Sequence, residues 1–200
     1  MSTLQSGCET NAGIAYHLAQ EMGAQISIYY KPGLQWDSWR SVRDVAAGRG
    51  INRQIKRAYG YLASRYREGD KIYLMGYSRR AHAVCSLGGI IDCLGLLHRD
   101  CATERNIRQI YRLYECTPTG DAAQAFAKKH CHRTVPIEMI GVWDTVKSLV
   151  INAPVLRRLS VARHAFHSHT LGANVKHGYH ALARRDTRGV SPCFVGQRSR

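Results

Sequence analysis

Residues 71–84 read Lys-Ile-Tyr-Leu-Met-Gly-Tyr-Ser-Arg-Arg-Ala-His-Ala-Val: an apolar run, a Gly-Tyr-Ser step, then a helix-forming stretch with small residues on one side. An apolar run that short suits a buried strand, and a helix directly behind it forces a sharp change of direction. In that order of elements the turn lifts a serine hydroxyl above the edge of a sheet, as in a nucleophile elbow. Ser78 is the serine, and Gly76 is the small residue two positions before it. Such an elbow usually closes with a second glycine two residues after the serine. Here that position holds Arg80.

The rest of the chain alternates in the same way. Apolar spacing predicts helices over residues 10–22, 50–68, 78–94, 103–116 and 121–132, with Gly88 and Gly89 allowing close approach to a neighbour. β-Branched or continuous apolar runs predict strands over 25–30, 71–75 and 135–143, with weaker signals at 178–183 and 190–195. Alternating strands and helices imply an α/β fold, a mostly parallel sheet flanked by helices. Two hundred residues suit one such domain over 1–200. Ligands of open parallel sheets sit outside the carboxyl ends of the strands, where Ser78 and Asp144 both fall.

Composition removes several classes. No window holds 18 apolar residues, so a spanning helix is not expected, and residues 1–10 lack the layout of a signal peptide. Seven cysteines without C-x-x-C spacing indicate neither a disulfide framework nor a zinc ribbon, which points to a reducing cytoplasm. The net charge of +15 is concentrated in the last quarter, where nine basic residues face the single acid Asp186. Such a tail favours polyanions, including an anionic membrane surface. Aromatics are not interleaved with it and no helix-turn-helix or finger motif is present, so nucleic acid is disfavoured as a partner.

A serine attacks a carbonyl only if a base takes its proton and, usually, a carboxylate orients that base. Ser78, Asp144 and a later histidine follow the Ser…Asp…His chain order of α/β hydrolases. From the residues alone, Ser78 also reads as a turn serine capping the next helix, and Asp144 as a cap shared with Thr145. His164, His167, His169, His177 and His180 all compete for the base. His164-x-x-His167-x-His169 lacks an acidic partner, and His130 and His132 lack a further ligand, so no metal is assigned.

Three ordered segments carry a family resemblance. Gly76-Tyr77-Ser78-Arg79-Arg80-Ala81 resembles the G-F-S-R-G-A motif of a bacterial α/β-hydrolase family that includes the catalytic domains of type VI secretion phospholipase effectors. Residues 141–146 resemble its G-V-W-D-T-V segment and residues 179–183 its Y-H-A-L-A segment, the likeness spanning roughly residues 10–195. The resemblance implies Ser78 as nucleophile, Asp144 as triad acid, His180 as base and the backbone amide of Arg79 as an oxyanion donor. It implies hydrolysis of carboxylic esters or phospholipids through an acyl-enzyme, with no organic cofactor and no metal. It further implies an immunity or secretion-apparatus protein as partner, and delivery by a secretion system without a cleavable signal.

Three departures support a competing expectation, a hydrolase framework without a working site. Arg80 places a long charged side chain where the family has glycine. The family's opening strand with its Asp-Gly-Thr loop is not found, so the sheet is expected to lack the first family strand and the domain to be N-terminally truncated. Residues 184–186 read Arg-Arg-Asp where the family is acidic, which would make His180 a poorer proton acceptor. A third expectation is a basic polyanion-binding module.

Overall fold

The computed structural model describes residues 11–31, 49–77, 79–143 and 172–181. The chain divides into two compact units, Met1–Arg49 and Gly50–Arg200.

In the first unit, α1 (Asn11–Glu21) occupies the helix predicted over 10–22. Gly23 ends it at φ 70 and opens a 3-10 turn, Gly23–Gln25. The strand predicted over 25–30 does not form. Ile26 is extended (φ −119, ψ 133), but residues 26–31 enter no sheet among the described residues. Alternation and β-branching favour an extended chain but do not by themselves choose a strand to pair with. Tyr30 stacks on Tyr16 of α1 instead, ring centroids 4.2 Å apart.

The second unit opens with α2 (Arg49–Arg65). Its buried stripe, Ile55, Tyr59 and Ala63, recurs every four residues as an amphipathic helix requires. Asp70 Oδ2 accepts from the Arg67 amide (2.8 Å) and Gly69 takes φ 96, which turns the chain into β1 (Ile72–Tyr77). The helix α3 (Arg79–Leu94) follows and ends at Gly95, whose φ of 83 suits the left-handed residue that commonly closes a helix. Tyr59 donates its hydroxyl to the Gly95 carbonyl and accepts from the Leu97 amide, both at 2.9 Å. A two-residue strand β2 (Leu96–Leu97) comes next, then α4 (Glu104–Cys116), capped by Thr103 Oγ1 accepting from the Asn106 amide. The helix α5 (Asp121–His130) stops two residues short of its predicted end, because β3 (Cys131–His132) pairs antiparallel with β2. A ribbon of two residues per strand is too short to show a period, so it was invisible in the sequence.

The last strands are β4 (Ile137–Trp143) and β5 (Val175–Ala181). The sheet has the order β1-β4-β5, with both pairings parallel. The fold is α/β-hydrolase-like, a parallel sheet flanked by helices, with α3 packed directly on one face. The segment 190–195 lies outside the described residues.

The two adjacent glycines of α3 serve different neighbours. A Cβ on Gly88 would lie 2.9 Å from Ile140 Cδ1 of β4, and one on Gly89 would lie 2.6 Å from the Tyr114 hydroxyl of α4. The small residues therefore let α3 sit tightly between sheet and outer helix, as predicted. Outside it, α2 and α4 run antiparallel. Asn52 Nδ2 donates to Glu115 Oε1 (3.2 Å), Lys56 Nζ lies 5.3 Å from the Tyr111 ring centroid, and Gly60 abuts Ile107. No helix among the described residues is long and apolar enough to cross a membrane.

Candidate active site

Strand pairing fixes which residues share a level and a face. Leu74, Ile140 and Gly178 form one cross-sheet row, and two residues further along Gly76, Val142 and His180 form the next. Paired residues of parallel strands point to one side, and side chains two apart along a strand do likewise. Gly88 of α3 meets Ile140, so both rows lie on the side that α3 covers. His180 is half-buried there, with both ring nitrogens sheltered from solvent. His177 and Tyr179, odd in the alternation, are exposed on the opposite face. The competing histidine of β5 is thereby turned away from the side that carries α3.

The rows also sit at one end of the sheet. The final pairs are Tyr77 with Trp143 and Trp143 with Ala181, so β1, β4 and β5 reach their carboxyl ends together. With about 4.8 Å between neighbouring strands, His180 is roughly 10 Å across the sheet from Gly76. Ser78 and Asp144 lie outside the described residues, as do His164, His167, His169 and Arg184 to Asp186. Their described neighbours still bear on the question. Tyr77 precedes Ser78, Trp143 precedes Asp144, and those two residues are direct partners in the sheet.

β1 ends at Tyr77 and α3 begins at Arg79, so a single position separates strand from helix. What makes so abrupt a connection possible is Gly76. A Cβ there would lie 2.7 Å from the Arg80 carbonyl oxygen and 2.8 Å from the Ala81 nitrogen and Cα. The first turn of the helix thus rests directly on the strand, backbone against backbone. Arg80 meets Gly76 through its carbonyl, its side chain is half-buried, and α3 is regular from Arg79 onward. As the first residue of α3, Arg79 contributes an N–H that the helix itself leaves without an acceptor, at its positive end.

Sequence reasoning passed over Asp92. From the last turns of α3 its Oδ1 accepts the Asn174 amide (3.0 Å), and its carboxylate fills the space where any side chain on Gly172 would be. Asn174 in turn accepts from the Ile137 amide (2.8 Å), and Gly172 from that of Val175 (3.1 Å). One carboxylate therefore links the helix behind position 78 to the start of the strand that bears His180. Only a motif-free aspartate marks this in the sequence. Asp92→Ala should destabilise the fold by about 1–3 kcal/mol, since it leaves a part-buried amide without its acceptor. Urea unfolding checks the magnitude, and hydrogen exchange should accelerate in β5 but not in α4. Unchanged exchange in β5 would refute this role.

Burial pushes the Cys131 thiol up to about 12 and raises that of Cys93, which disfavours the reactive thiolate. His132 Nε2 lies 3.1 Å from His98 Nδ1, and His130 Nδ1 lies 3.5 Å from Cys101 Sγ. Burial first, then the neighbouring His98, holds the His132 imidazole below its usual range. Among the described residues no group of three or more His, Cys, Asp or Glu could hold a metal ion.

A parallel α/β sheet with a one-residue strand-to-helix connection and a sheltered histidine at its carboxyl end defines a hydrolase-like architecture. The chain belongs to the family described as "T6SS, Phospholipase effector Tle1-like, catalytic domain", which matches residues 4–196. It is also similar to "Uncharacterized protein YEL023C" of Saccharomyces cerevisiae, 25% identical over 189 residues. That match covers 79% of this chain and 27% of the yeast protein, so the chain spans about a quarter of that relative's length. No solved structure matches the chain at a significant level.

Proposed function

We propose that this chain hydrolyses a carboxylic ester of a phospholipid through an acyl-enzyme, with Ser78 as nucleophile, His180 as base and Asp144 as the acid that orients it. The observation that carries this reading is the single position between β1 and α3, in a sheet whose same rim and same side hold His180. In the first half-reaction Ser78 Oγ attacks the ester carbonyl while His180 accepts its proton. The amide of Arg79 donates to the developing oxyanion. Collapse of the tetrahedral intermediate breaks the bond to the alkoxide, which leaves as the lysophospholipid with the proton from His180. Water, deprotonated by His180, then attacks the acyl-Ser78 carbonyl, and Ser78 recovers a proton as the fatty acid departs. This sequence calls for no cofactor. Membership of the effector family supports a lipid substrate, delivery by a type VI apparatus and an immunity partner.

The competing reading, a framework without activity, rests on Arg80. What favours activity against it is the regular start of α3 at Arg79, with the backbone of Arg80 lying against Gly76. The test is fatty-acid release from phospholipid–detergent mixed micelles. One fatty acid should appear per lysophospholipid formed, and release should fall by about a thousandfold or more with Ser78→Ala. Absence of release by the unaltered protein from every diacyl phospholipid offered would overturn the proposal.

A further inference from the structure

The sequences of α2 and α4 hold eight basic residues between them against two acids, Glu104 and Glu115. Both acids are already engaged: Glu104 pairs with Arg108 on its own helix, and Glu115 accepts from Asn52. Arg53, Arg57, Arg105 and Arg112 are exposed and have no carboxylate partner among the described residues. The antiparallel contacts from Asn52–Glu115 to Gly60–Ile107 set the two helices side by side, so these arginines occupy one continuous surface.

We infer that this arginine surface seats the chain on anionic phospholipid, an inference that rests on the phospholipid reading above. Guanidinium groups bind phosphate oxygens in a fixed fork and are weakly hydrated, which suits a bed of headgroups. The shape discriminates among polyanions. Two adjacent helices, each about 10–12 Å across, are too broad for a major groove about 12 Å wide. Single strands need open aromatic faces for base stacking. Here Tyr111 lies beneath Lys56 and Tyr61 beneath Arg65, whose guanidinium carbon is 4.8 Å from the ring centroid. A charged surface whose tyrosines are occupied by basic side chains matches a bed of headgroups better than a strand of bases. Besides the basic concentration that the sequence places in the last quarter, α2 and α4 carry another.

The experiment is co-sedimentation of the full chain with vesicles of ether-linked phosphatidylcholine containing phosphatidylglycerol. Ether lipids cannot be hydrolysed as esters, so binding is read whether or not the chain has activity. Binding should require the anionic lipid and weaken steeply as salt rises. Arg57→Glu with Arg112→Glu should lower the partition coefficient at least about thirtyfold, roughly fivefold for each positive charge withdrawn. Lys128→Glu with Lys129→Glu, the same charge change on exposed positions of α5, should lower it less than about threefold. Equal losses in the two variants, equal binding to pure phosphatidylcholine, preference for duplex DNA over the vesicles, or no binding would each overturn the inference. Binding without ester turnover would leave this surface standing and refute the hydrolase reading.

Discussion

Under the proposed mechanism Ser78→Ala is expected to reduce fatty-acid release by about a thousandfold or more, while the thermal unfolding temperature stays within about 2 °C of the parent. The reason is chemical: without the hydroxyl no acyl-enzyme forms, and what remains is binding and any oxyanion stabilisation. The prediction extends to His180. Nucleophile and base act as one unit, so His180→Ala should cost about as much as Ser78→Ala, and the double variant little more than either. Initial rates at saturating lipid, together with circular dichroism melts of all three proteins, measure this directly. A residual rate above one tenth of the parent's in Ser78→Ala would mean that another group performs the attack. Multiplicative losses in the double variant would mean that the two residues serve separate steps.

Gly76→Ala is expected to cost stability and turnover together. The added methyl would meet the Arg80 carbonyl and the Ala81 backbone at under 3 Å, and neither can swing aside as a flexible side-chain tip could. Overpacking of a tight site typically costs about 1–3 kcal/mol, and a contact with helix backbone belongs at the upper end. For a chain of this length that lowers the melting temperature by about 5–10 °C. The helix must lift from the strand, carrying the Arg79 amide with it. A displacement near 1 Å at such a point costs about a hundredfold in rate. Gly141→Ala is the control, being on the neighbouring strand but only in ordinary contact with Met139 at 3.5 Å. It should change neither property appreciably. If the two variants behave alike, the close approach at Gly76 is not what shapes the turn.

What could be read from the residues divides along physical lines. Long periodic stretches were legible: α2, α3 and α4 begin or end within a few residues of where their apolar spacing places them, because burial of one face imposes the period. The run from Ile72 to Tyr77 and its helix were legible for the same reason. Pairing was not. Residues 25–30 carry a strand-like pattern yet join no sheet among the described residues, while Leu96–Leu97 and Cys131–His132 pair without a pattern long enough to notice. A strand is decided by its neighbour, and the neighbour is remote in sequence. The site shows the same divide. The glycine two residues before the serine was visible as a letter, but its backbone contact required the helix to be in place. The resemblance marked Arg80 as a departure by its side chain, while the contact at Gly76 falls at its carbonyl, which any residue would supply. Asp92 was illegible, because an anchor to a turn eighty residues away leaves no local trace.

The proposed joint action of Ser78, Asp144 and His180 is tested by labelling the protein with a fluorophosphonate ester and locating the adduct by peptide mass spectrometry. A single adduct on Ser78, formed at least a hundredfold more slowly in His180→Ala and Asp144→Ala, is the expected result. Labelling at another residue, or a rate on Ser78 indifferent to both substitutions, would contradict it.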